Sequence, residues 1–168
     1  SRYELDSGAA TATAADDGTV GKVLILDAPL YVAAGKTLTI SGNGGGMVVY
    51  AASSDCSINN AGTLIIGDAL LTGNARFVLN GAGTATLNND VVYDPQISAE
   101  SADSSVSDCA FYSGGMADPA VSCPAVSECG FYSVSGIRIT CDYFQRNIVS
   151  RCDSSVLTVK QLAQANTF

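Results

Sequence analysis

Asp68 and Asp90 are the carboxylates whose spacing first suggests chemistry. They are separated by one position more than Asn59 and Asn80, which mark two copies of an internal repeat, so adjacent turns of a repeating fold could bring them together. With Arg76 as a nearby cation, such a group suits carboxylate-based glycan cleavage, assisted by calcium, on one face of a solenoid. The competing reading is turn chemistry, because Gly67-Asp68 and Asn89-Asp90 are pairs that favour turns. The chain contains no histidine, which excludes Ser-His-Asp and Cys-His nucleophile systems, since both need an imidazole to take the proton. Asn43-Gly44-Gly45-Gly46 lacks the Asp of a calcium-binding repeat loop, and no Gly-Lys-Ser/Thr follows to make it a phosphate loop. No cofactor or metal centre is expected, and the reading leans away from an enzyme.

Six cysteines, Cys56, Cys109, Cys123, Cys129, Cys141 and Cys152, form an even set with five crowded into the last third. Without a C-x-x-C pair or a histidine a zinc site is disfavoured, so the set reads as disulfides and places the chain in an extracytoplasmic, oxidising compartment. Full pairing ties Cys56 to the C-terminal third. The chain begins at Ser1, which suggests an upstream segment removed by processing. Sixteen acidic against eight basic residues give a net charge of -8 with no basic cluster, which argues against nucleic acid and anionic membrane surfaces. No apolar run approaches the length of a membrane-spanning helix.

The elements that must position these groups are short strands. From Val20 onward, runs such as Val23-Leu24-Ile25-Leu26, Met47-Val48-Val49-Tyr50, Leu64-Ile65-Ile66 and Val91-Val92-Tyr93 are separated by Gly, Asn, Asp and Ser. Asn59-Asn60-Ala61-Gly62-Thr63-Leu64-Ile65-Ile66 recurs as Asn80-Gly81-Ala82-Gly83-Thr84-Ala85-Thr86-Leu87, and an earlier copy starts at Ala34. A repeat with the Asn59-to-Asn80 offset predicts stacked rungs, which bury together an apolar face that one rung cannot bury alone. A β-sandwich would explain the short strands but would leave the repeat a coincidence. Thr37, Thr39, Thr63, Thr84 and Thr86 could line a flat outer face able to meet ice or an ordered polymer, although Thr is also an ordinary outward strand residue.

Ala33-Ala34-Gly35-Lys36-Thr37-Leu38-Thr39-Ile40-Ser41-Gly42, with Asn60-Ala61-Gly62-Thr63-Leu64-Ile65-Ile66 and Leu71-Thr72-Gly73-Asn74-Ala75, resembles the rungs of right-handed parallel β-helices of the pectin-lyase-like superfamily, the non-enzymatic adhesin and polymorphic outer-membrane-protein repeats in particular. The resemblance spans roughly Val20 to Val92. It implies a solenoid without assigning a site, and the chain lacks clear Phe-x-x-Asn repeats and any membrane-barrel segment.

The fold expected is therefore all-β, a short parallel β-helix with a disulfide-bonded C-terminal segment. Residues 1–18 are an arm or cap, 19–97 the solenoid, 98–107 a linker and 108–168 a segment rich in cysteine and aromatics. In that last segment Asp108-Cys109-Ala110-Phe111-Tyr112-Ser113 is echoed by Glu128-Cys129-Gly130-Phe131-Tyr132-Ser133, and loosely by Cys141-Asp142-Tyr143-Phe144. Phe111, Tyr112, Phe131, Tyr132, Tyr143 and Phe144 either pack around the disulfides or form a recognition patch. Thr158 to Ala165 reads as a short terminal helix. The function expected is that of a secreted structural, adhesive or assembly subunit contacting protein subunits, with self-assembly through solenoid ends. The alternative is a carbohydrate-binding or carbohydrate-active module.

Overall fold

Alternation of apolar and small polar residues within short stretches, broken by residues that tolerate a left-handed backbone, makes the chain bend at regular intervals. The computed structural model describes residues 3–5, 9–13, 22–44 and 46–168, with side chains from residue 23 onward. Its first coil holds β1 (Tyr3–Leu5), β2 (Ala9–Thr13) and β3 (Lys22–Leu26), and the second β4 (Leu30–Val32), β5 (Thr37–Ser41) and β6 (Met47–Ala51). Then come β7 (Ile58–Asn60), β8 (Thr63–Gly67) and β9 (Ala69–Gly73), followed by β10 (Phe77–Asn80), β11 (Thr84–Asn88) and β12 (Val91–Tyr93). The pattern continues through β13 (Pro95–Ser98), β14 (Ser105–Ser107) and β15 (Ala110–Tyr112), then β16 (Ala120–Ser122), β17 (Ala125–Ser127) and β18 (Gly130–Tyr132). β19 (Arg138–Gln145) and β21 (Val156–Gln164) each run along two walls, with β20 (Ile148–Ser150) between them.

Each strand pairs in parallel with its counterpart one coil later, which makes the molecule a three-walled parallel β-solenoid. The first wall is built on β1 and β4, the second on β2 and β5. The third is a separate seven-stranded sheet in the order β20-β18-β15-β12-β9-β6-β3. All the ladders are parallel, so the sandwich alternative does not apply.

The repeat read in the sequence is the register of the fold: Asn80 lies against Asn59, and Thr84 against Thr63, which in turn lies against Thr37. Its Gly and Asn residues have local causes. A side chain at Gly83 would run into the backbone of Gly62, and Asn60 bridges coils by donating from Nδ2 to the Thr84 carbonyl at 2.9 Å. Ile40, Ile58, Leu64, Ile66, Leu71, Leu79, Leu87 and Ile97 fill the interior, continued downstream by Phe111, Phe131 and Phe144.

Several expectations need correction. The solenoid does not give way to a disulfide-bonded segment, because all six cysteines are free thiols and none is bonded to another. Cys56, Cys109, Cys123, Cys129 and Cys141 are buried as small core side chains, and Cys152 is half-buried. Residues 108–168 continue the same walls, and the 98–107 stretch carries β14 within it. Where a terminal helix was expected, β21 extends the first two walls, with Leu157 beside Ile139 and Ala163 beside Phe144. In residues 1–18, β1 and β2 pair as part of the first coil, and the remainder lies outside the described residues.

Candidate functional site

The three residues put forward for catalysis do not converge. Asp68 takes a left-handed turn conformation (φ 55°), and its register equivalent one coil later is Asn89 (φ 56°), not Asp90. The separation of the two aspartates exceeds this coil's length by one position, and one step along a strand reverses the direction of the side chain. Asp68 therefore stays at the corner surface, where its Oδ1 accepts from Asn89 Nδ2 at 2.6 Å, whereas Asp90 points inward and is 1 % exposed. Arg76 lines a different groove, with Asp55 and Gln96. Among the described residues no group of three or more His, Cys, Asp or Glu side chains could hold a metal ion.

Asp90 belongs to an internal column. Ala69, Asp90, Cys109, Cys129, Asn147 and Asn166 occupy one corner position on successive coils. Asn147 accepts the Cys129 N–H through Oδ1 at 2.9 Å and donates from Nδ2 to the Val126 carbonyl at 3.0 Å; Asn166 repeats this, donating to the Phe144 carbonyl at 2.8 Å. Asp90 Oδ1 likewise accepts the Ala69 N–H at 3.0 Å, but its Oδ2 is buried without a partner. Burial pushes this carboxyl up to about 8, so it carries a proton at neutral pH. Two buried thiols, Cys109 in this column and Cys123 elsewhere in the core, are held protonated too. Cys109 is raised chiefly by its hydrogen bond with Cys129 and then by burial, and burial lifts Cys123 to about 12. The column's hydrogen bonds tie successive coils together.

The aromatic residues divide between inside and outside. Phe111, Phe131 and Phe144 are fully buried, with Phe111 and Phe131 stacked at 4.7 Å and 7°. Tyr112 and Tyr132 stand on the outer surface in a ladder with Tyr93, at ring separations of 5.4 and 5.5 Å. Tyr143 is on the second wall, in register with Ala125, and its hydroxyl donates to Gln161 Oε1 at 2.8 Å. The loose third echo at Cys141 is therefore not a copy of the other two, since Val149 occupies the place next to Phe131.

The tyrosine ladder is part of a larger surface. On the outside of the third wall one column runs Val23, Val48, Leu70, Val91, Ala110, Gly130, Ile148. Beside it run Ile25, Tyr50 and Thr72, continued by Tyr93, Tyr112, Tyr132 and Ser150. Lys22 is the one charged residue in these seven strands, although the chain carries sixteen acidic and eight basic residues. Val23 and Ile25 are 58 % and 57 % exposed, and Ile148 is 44 % exposed. The Tyr132 ring lies over Gly130 and leaves no room for a side chain there, which levels the surface. A groove of about 650 Å³ runs from the corner at Gly44, Gly46 and Asp68 onto this face, where Val48, Leu70, Val91 and Tyr93 line it.

The sequence did carry a signal for this face. Strands of a wall with one wet side alternate apolar and polar, but Val23-Leu24-Ile25-Leu26, Met47-Val48-Val49-Tyr50 and Val91-Val92-Tyr93 are apolar at both sets of positions. The threonine face is less regular. Thr37, Thr63 and Thr84 share a column, but Ile65 interrupts the next one between Thr39 and Thr86, and Thr84 Oγ1 is engaged with Ser101 Oγ at 3.1 Å. No helix among the described residues is long and apolar enough to cross a membrane. Compared with protein-family models, with curated proteins and with solved structures, the chain matches none of them.

Proposed function

We propose that this chain is a non-catalytic interaction module that meets its partner with the outer face of the third wall. The observation that carries the reading is the near absence of charge from seven consecutive strands whose outward side chains are largely Val, Ile, Leu and Tyr. Contiguous exposed apolar surface beyond a few hundred Å² marks contact sites, and aromatic residues are enriched in them. The likeness of residues 20–92 to adhesin-type β-helix rungs supports the same reading. Retention on a phenyl-substituted matrix tests it. Tyr112→Asp should shorten retention clearly more than Thr86→Asp on the second wall, and equal shifts would count against the third wall as the contact surface.

Carbohydrate binding is a second reading, favoured by one observation: the groove beside Tyr93 offers an exposed ring and the Asp68 carboxylate together. Titration with neutral and acidic polysaccharides should then show binding that Tyr93→Ala removes, and no heat with any of them would set this reading aside.

A further inference from the structure

We infer that the partner of the third wall is a second copy of this chain, docked face to face; the inference rests on the contact-face reading above. The first argument is charge. Two copies each carrying a net charge of -8 repel wherever their acidic residues meet, and five of the acidic residues, Asp68, Asp94, Asp108, Asp118 and Glu128, occupy left-handed turn positions between strands. Within the third wall no strand carries an acidic residue, so two copies can approach there without setting carboxylate against carboxylate.

The second argument is shape. With the Tyr132 ring covering Gly130, the face is levelled at β18, and sheets pack face to face at about 10 Å. A two-fold axis parallel to the solenoid sets Tyr50, Tyr93 and Tyr112 of one copy against Val48, Val91 and Ala110 of the other at the same levels, so at these three levels a large side chain meets a smaller one.

The third argument is size. Seven strands about 4.8 Å apart and roughly 10 to 16 Å long give a face of about 300 to 500 Å² per copy. A standard stable interface buries about 800 Å² per partner, so the dimer is a weak one, populated at micromolar or higher concentration.

Sedimentation velocity of the wild-type chain across about 1 μM to 1 mM tests the inference, over the range expected for an interface of this size. Dimer should accumulate with concentration. Tyr112→Asp and Tyr112→Lys, each checked by circular dichroism for an intact fold, should each weaken association at least about tenfold, and an equimolar mixture of the two should recover it. Thr86→Asp should leave it unchanged. A wild-type chain that stays monomeric throughout, or a dimer indifferent to both Tyr112 variants, overturns the inference. The phenyl-matrix comparison then decides the wider reading: if Tyr112→Asp still shortens retention selectively, the face is a contact surface for another partner, and if it does not, both fall together.

Discussion

At the corner between the second and third walls, Asn147 and Asn166 donate to the carbonyls of Val126 and Phe144 one coil back, while Asp90 holds the same position with a carboxyl. The carbonyl at the matching level belongs to Ile66, and a carboxylate can only accept. The neutral acid is thus the form that suits the site, in line with its raised value of about 8. The unfolded side chain titrates near 3.8. Below that pH both states hold the proton; as pH rises from about 4 to about 8 only the unfolded chain releases it, and stability falls across that window. Asp90→Asn should stabilise the fold at pH 7 by about 1 to 3 kcal/mol and flatten the decline, as read by urea unfolding at several pH values. At the same scale, a thiol assay without reductant should find all six cysteines reactive in denaturant, and only the half-buried Cys152 reacting readily in the native state.

Among the elements, β15 and β18 show why inward and outward aromatics must be told apart. Phe131 packs on Phe111 and lies 6.1 Å from Phe144, so Phe131→Ala should cost about 3 to 5 kcal/mol in denaturant unfolding. Tyr132, one position along and outward, should cost well under half of that when truncated, because its ring is not part of the core. The rungs around Thr63 and Thr84 were legible in the sequence because the copies beginning at Asn59 and Asn80 share the same Asn-x-x-Gly corner and stack in register. Coil length is not constant, however. Leu30 pairs with Ile58, whereas Gly130 pairs with Ile148 after a much shorter excursion of chain, so no fixed period carries the reader into the last third. There the cysteines suggested bridges, but a thiol is also a compact apolar filler, and these sit at core positions. Near the C-terminus, Leu157, Leu162 and Ala165 happen to fit a helical spacing, while Val156, Thr158 and Val159 of β21 are β-branched and extend the ladder from β19. Asp68 and Asp90 were read as a pair because sequence spacing does not reveal that a single step along the strand changes the face.

Over the whole molecule, the contact surface exists only if the cysteine-rich third is wall rather than appendage. β15, β18 and β20 supply the Tyr112 and Tyr132 part of the face and extend the same sheet as β6, β9 and β12. No disulfide holds them there; parallel backbone ladders and the buried Phe111, Phe131 and Phe144 do. Amide hydrogen exchange of the intact chain, followed by mass spectrometry with and without a thiol reductant, tests this most directly. Protection in residues 105–150 should match that in residues 58–93 and should be unchanged by reductant. Rapid exchange confined to the C-terminal third, or protection there that disappears on reduction, would contradict a single continuous solenoid and the uncharged face built on it.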